Sequence, residues 1–139
     1  MMKIKIRSYV DSDYPQVKKN LVDGGLFLEN WDTRKNLARK ILLNSNSILV
    51  ATIDKQVLGN IYIVEDGWSA KIARLCVREE QRNKGIGSIL LAKAEKILKE
   101  KGKKEIALYA DEDNLNLKNF YKKRGYFMGG KCRCMRKII

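Results

Sequence analysis

Residues 69–98 read SAKIARLCVREEQRNKGIGSILLAKAEKIL and change character halfway along. Asp66-Gly67 is a hairpin signal, and Ser69–Val77 after it reads as a strand. From Ile86 the apolar residues Ile86, Ile89, Leu90, Ala94, Ile97 and Leu98 recur at helical spacing, until Gly102 ends the run. Between the two lies Gln81–Ser88, with Gly85 and Gly87. A strand, a glycine turn and a long helix in that order set the fold class as α/β.

Working outward, Ser47–Ile53 and Gln56–Glu65 read as strands joined by a tight turn at Asp54-Lys55. With Ser69–Val77 they form an antiparallel meander. Upstream, Lys3–Tyr9 alternates as a half-buried strand. Asp11 or Ser12 caps a helix to Val22, with Pro15 in its first turn and Asp23-Gly24-Gly25 as its stop. Asp32 or Thr33 caps a second helix, with Leu37, Ile41 and Leu42 on one face. Downstream, Ile106, Leu108 and Ala110 mark a buried strand. Asp113 or Asn114 caps a helix to Arg124, closed by Gly125, and Tyr126–Ile138 reads as two short strands around Gly129-Gly130. The predicted order is β-α-α-β-β-β-α-β-α-β-β, a mixed central sheet with helices on both faces. No linker or repeat interrupts residues 1–139, which are expected to form a single domain.

Composition narrows the chemistry. The 139 residues contain no histidine, which removes the Ser-His-Asp triad, the HExxH zinc site, the zinc deaminase signature and any histidine base. Cys76, Cys132 and Cys134 form no CxxC pair, and three thiols without histidine fall short of a four-ligand zinc site. No metal is expected, and Cys76 reads as a small buried strand residue. No apolar run approaches the ~18 residues that cross a bilayer, and MMKIKIRSYV lacks the apolar stretch of a signal peptide. A cytoplasmic location is the expectation, with no membrane partner. Net charge is +13, split as +4 over residues 1–83 and +9 over residues 84–139. Such a positive half attracts an anionic partner, or forms a solvated basic surface.

In Gln81-Arg82-Asn83-Lys84-Gly85-Ile86-Gly87-Ser88, Gly85 and Gly87 let backbone approach a ligand and adopt open dihedrals. The amides of the first helical turn then make an anion site, reinforced by the helix dipole, Arg82 and Lys84. A lone GxG equally describes a tight turn. There is no GxxxxGK[ST] string, and a dinucleotide fingerprint would need a third glycine where Leu90 stands.

Leu75-Cys76-Val77 followed by Arg82-Asn83-Lys84-Gly85-Ile86-Gly87 resembles the acetyl-CoA motif of the GNAT superfamily of N-acetyltransferases, R/Q-x-x-G-x-G/A. A second block, Asn114-Leu115-Asn116-Leu117-Lys118-Asn119-Phe120-Tyr121 closing with Gly125-Tyr126, is similar to that family's later motif. The resemblance implies an acetyl-CoA-dependent N-acetyltransferase acting by direct attack in a ternary complex. It implies that the backbone of Arg82–Gly87, with Ser88, holds the CoA pyrophosphate. It also implies that pantetheine lies beside Leu75, Cys76 and Val77 where that strand splays from the next. The Val77 N–H would be the oxyanion donor, a duty that needs no side chain. Asn114 would touch the pantetheine arm, or simply cap its helix. Tyr121 would be the general acid for the departing thiolate, against the alternative of an aromatic packing residue.

The family's usual bases are missing, since their positions hold Lys71 and Tyr109; Glu65, Asp66, Asp111 or a relayed water remain. Deprotonating a lysine-type amine at pH 7 costs about 4.6 kcal/mol, an α-amine only ~1–1.4. The missing base and the cationic chain therefore favour α-amines or anionic amines over polyamines. Asp23–Asp32 is the expected acceptor wall, where Phe27 and Trp31 line a pocket or belong to the core. Expected partners are acetyl-CoA and an amine on a small molecule or peptide, for a monomer or homodimer. The rival readings are an acyl-CoA-binding sensor without catalysis, and a nucleic-acid module using Lys118, Lys122, Lys123, Arg124, Lys131, Arg133, Arg136 and Lys137. Against the latter, the chain matches no helix-turn-helix, RRM or KH signature.

Overall fold

The computed structural model describes residues 3–139. The chain divides into two compact bodies, residues 1–108 and 109–139. The first contains β1 (Lys5–Ser8), α1 (Tyr14–Asp23), α2 (Arg34–Leu43), β2 (Ile48–Ile53), β3 (Gln56–Glu65), β4 (Ala70–Val77) and α3 (Ile86–Glu100). The second contains α4 (Leu115–Lys122).

The four strands form one antiparallel sheet in the order β1-β2-β3-β4. Helices cover both of its faces. Val17 and Leu21 of α1 and Leu37 of α2 share a buried cluster with Tyr9, Ile48, Val50, Val57, Tyr62 and Cys76. On the other face α3 buries Ile86, Leu90, Leu91, Ala94 and Leu98 along one helical stripe. Gly59 makes this close approach possible. A Cβ there would stand 2.9 Å from the Cys76 carbonyl oxygen and 3.2 Å from Leu90 Cδ1.

Local chemistry explains the boundaries. Thr33 is the cap of α2, its hydroxyl accepting the Asn36 N–H at 3.1 Å, and Asn114 caps α4 through the Leu117 N–H at 3.0 Å. The first helix begins later than its sequence signal. Asp11–Asp13 is a 3-10 turn, because the Asp13 carboxylate reaches back to the Val10 N–H and to Arg7. Leu42 does not share the buried face of Leu37: it is exposed at the end of α2.

The strands expected after α3 differ from the structure. Of Ile106–Ala110, only Ala107 pairs, in a single parallel bridge to Lys71. The ladder ends there because β4 kinks immediately after Ala73, where its register with β3 shifts. Tyr126–Ile138 forms no regular strand. Its apolar residues Phe127, Met135 and Ile138 are exposed, and two short strands without a buried face are marginal.

Gly59→Ala is expected to destabilise the fold by about 1–3 kcal/mol, because the nearest obstacle is backbone and cannot rotate away. Urea unfolding of the variant against the parent measures it.

Candidate active site

Four features of the first body converge on the C-terminal end of β4. The earliest in the chain is the loop after α1. Its Asp32 carboxylate is buried and accepts the Leu28 N–H at 2.9 Å, the Tyr62 hydroxyl at 3.1 Å, and the Arg74 guanidinium at 3.1–3.2 Å. The Tyr14 hydroxyl holds the Asp32 carbonyl at 2.8 Å. This expected acceptor wall is thus tied to β4 by an ion pair whose side chains are 2% and 18% exposed. Phe27 packs at the edge of the core, whereas Trp31 is exposed.

The second feature is a bulge. Asn60 pairs with Cys76 and Tyr62 pairs with Ala73, so Arg74 and Leu75 together stand opposite Ile61. Arg74 carries the distortion, with a left-handed φ of 53°. Backbone direction reverses across it. Before the bulge, Ala70 and Ile72 face the outer edge, away from β3: the Ala107 N–H donates to the Ala70 carbonyl, and the Ile72 N–H to the Ala107 carbonyl. After the bulge the Arg78 N–H points back to the Leu58 carbonyl at 2.7 Å, while the Val77 carbonyl accepts from Arg82 Nε at 2.9 Å. A strand residue sends its N–H and C=O to the same side. The N–H groups of Leu75 and Val77 therefore face the outer edge, and that of Cys76 faces β3. Without the extra residue Val77 would turn inward.

The third feature is the turn into α3. Asn83 (φ 62°) and Gly85 (φ 84°) are both left-handed, and Arg82–Gly85 is exposed. The first helical bond runs from the Ile89 N–H to the Gly85 carbonyl, so the Ile86 and Gly87 amides lie ahead of the ladder at the positive end of the dipole. Ser88 belongs to the same opening turn. Gly85 has the open dihedral expected of it; Gly87 does not, being an ordinary helical residue of α3. Lys84 Nζ lies 3.5 Å from Gln81 Oε1.

The fourth is Cys76 itself, buried with its thiol donating to the Asn20 carbonyl at 2.9 Å. Burial pushes this thiol up, opposite to what a nucleophile needs.

The candidate bases sort by position. Glu65 accepts the Gly67 N–H, and Asp66 accepts the N–H groups of Ser69 at 2.7 Å and Trp68 at 2.9 Å, which hold its carboxyl below the usual range. Both close the β3–β4 hairpin, about 20 Å from Val77 at ~3.3 Å per residue. They are spent on the turn and too distant to take a proton there.

In the second body, Asp111 accepts the Asp113 N–H at 3.1 Å, just before Asn114. Tyr121 is buried, with its ring edge-on to Phe120 at 5.1 Å and to Tyr126 at 5.4 Å. Burial alone pushes its hydroxyl up to about 12. Among the described residues no cluster of His, Cys, Asp or Glu could hold a metal ion, and no helix is long and apolar enough to cross a membrane.

Asn60, Asn20, Arg74 and Asp32 carry no motif. A signal for one existed: Asn60 is a polar residue in the middle of the apolar run QVLGNIYIV.

Residues 8–126 match the Acetyltransferase (GNAT) family. An uncharacterized protein of Bacillus subtilis, YxbD, is 35% identical over 80% of this chain and 70% of its own length. A spermidine N(1)-acetyltransferase of Thermoplasma acidophilum is 33% identical over 72% of this chain and 67% of its own. Among solved structures, the PaiA N-acetyltransferase of Thermoplasma acidophilum in complex with coenzyme A superposes with a TM-score of 0.79 at 27% identity, covering 94% of both chains.

Asp32→Ala would leave Arg74, the Tyr62 hydroxyl and the Leu28 N–H facing a void. A loss of about 3–5 kcal/mol in unfolding free energy is expected, read by urea titration at pH 7.

Proposed function

The chain belongs to the GNAT family of acetyltransferases, and from that premise we propose that it carries acetyl from acetyl-CoA to a primary amine at the outer edge of β4. The observation that carries this reading is the reversal at Arg74, which presents the Val77 N–H on that edge beside the glycine turn. The amides of Arg82–Gly87, with Ser88, cradle the pyrophosphate, and Arg82 and Lys84 add positive charge. The pantetheine arm extends along Leu75, Cys76 and Val77 as an added strand and meets Asn114. The amine nitrogen attacks the thioester carbonyl carbon, the oxyanion forms against the Val77 N–H, and the C–S bond then breaks. Tyr121 gives its hydroxyl proton to the leaving thiolate, the nitrogen loses its proton to solvent, and solvent returns a proton to Tyr121 before the next turnover. A hydroxyl raised by burial stays protonated throughout pH 6–9, the state a general acid requires.

Two observations pull on the acceptor. The relative named for spermidine favours a polyamine. The net charge of +13, and Lys71 and Tyr109 standing where the family's usual glutamate bases would be, favour α-amines or anionic amines, and that is the acceptor class proposed. Comparing kcat/KM for spermidine, lysine peptides and peptide α-amines at pH 7 and 9 decides. Spermidine winning at pH 7 overturns the preference.

Saturating acetyl-CoA at 100 times Kd is expected to stabilise the fold by ~2.7 kcal/mol, a rise of several degrees in Tm. Gly87→Glu should abolish the rise by placing a carboxylate where the pyrophosphate sits. Tyr121→Phe should keep that rise, yet slow single-turnover transfer by about 10²–10⁴-fold. Wild-type transfer by the Phe variant across pH 6–9 would make Tyr121 a packing residue.

A further inference from the structure

The bulge in β4 is held from inside the protein. Asn60 is fully buried on β3, and its Nδ2 donates to the Arg74 carbonyl at 3.0 Å. That carbonyl belongs to the residue pair which the bulge takes out of ladder register. The Asn60 amide is itself oriented. Its Oδ1 accepts from Asn20 Nδ2 at 3.3 Å, and the same Asn20 nitrogen lies 3.3 Å from the Val57 carbonyl. Asn20 is buried on α1, and its own carbonyl takes the Cys76 thiol at 2.9 Å. One line of polar contacts thus runs from α1 through β3 to both sides of the bulge. Neither asparagine is positioned to act on substrate, and neither is explained by packing, since an apolar residue would fill the space without needing partners.

A strand in this position has two alternatives. With the bulge, Leu75 and Val77 face the outer edge. With the extra residue slipped out, the Val77 N–H pairs inward with β3. Arg74 resists the first alternative by residue type, because a left-handed φ is sparsely populated outside glycine and asparagine. We propose that Asn60 is a positioning residue for acyl transfer: by holding the Arg74 carbonyl it keeps the bulge in place and the Val77 N–H on the outer edge. The inference rests on the reading of Val77 as oxyanion donor.

Asn60→Leu removes the amide donor while nearly preserving volume. It is expected to lower kcat about 10- to 100-fold, part of what one oxyanion donor is worth, with KM for acetyl-CoA rising by a smaller factor, because pantetheine loses its pairing along Leu75–Val77 while the glycine turn still holds the pyrophosphate. Amide hydrogen exchange supplies a readout that needs no turnover. In the wild type Leu75 and Val77 exchange fast and Cys76 slowly; in the variant that contrast collapses or inverts. A second pair covers the case in which Asn60→Leu does not fold. Arg74→Gly and Arg74→Val both delete the guanidinium, but glycine accepts the left-handed conformation and valine does not. The glycine variant should exceed the valine variant in kcat by about tenfold or more. Wild-type kcat and exchange in Asn60→Leu, or equal kcat in the two Arg74 variants, overturns the proposal. Should the wild type transfer acetyl to no amine, the acetyltransferase reading fails instead, and the exchange contrast alone judges the clamp.

Discussion

The hydrogen bond from the fully buried Asn60 amide to the Arg74 carbonyl closes a backbone group that the shifted ladder leaves over. Much of the first body is arranged around that single contact. The register shift requires it, and the reversal of backbone direction follows from the shift. The Arg74 side chain, turned aside by the same left-handed residue, meets Asp32 and so ties down the loop after α1. Backbone and side chain of one residue therefore serve two walls of the candidate site.

The same kink manages a hazard. β4 borders the sheet, and a long straight border strand invites another chain to pair with it. Here regular pairing beyond β4 amounts to the bridge at Lys71, after which the strand bends and Arg82 occupies the Val77 carbonyl. The edge is unsuited to an indefinite ladder. On the face below, Gly59 lets α3 lie close enough for its N-terminus to open beside the end of β4.

The glycine turn, the meander and the caps at Thr33 and Asn114 were legible because each is written in local chemistry: a left-handed glycine, a hairpin dipeptide, an oxygen-bearing cap. The bulge was not. Nothing in the string IARLCV marks arginine for a conformation that glycine or asparagine usually fills, and only the tertiary contacts of Asn60 and Asp32 stabilise it there. Polar Asn60 within an apolar strand was a visible anomaly, but its meaning depended on a register that pattern alone does not supply. The C-terminal strands fail for the converse reason. Their alternation was local, and the buried face that alternation needs is missing from Tyr126–Ile138.

Cys76 adds a practical property. Of the three thiols, Cys132 and Cys134 are exposed and this one is sealed between α1 and β4, close beneath Gly24, where even a methyl group would stand 2.6 Å from its sulfur. Its thiol is further muted by burial. An alkylating dye thus meets two open sulfurs at once, and the third only when α1 lifts from the sheet. The chain carries its own clock for that opening, started by reagent and read by mass, at the position where helix, bulge and outer edge meet.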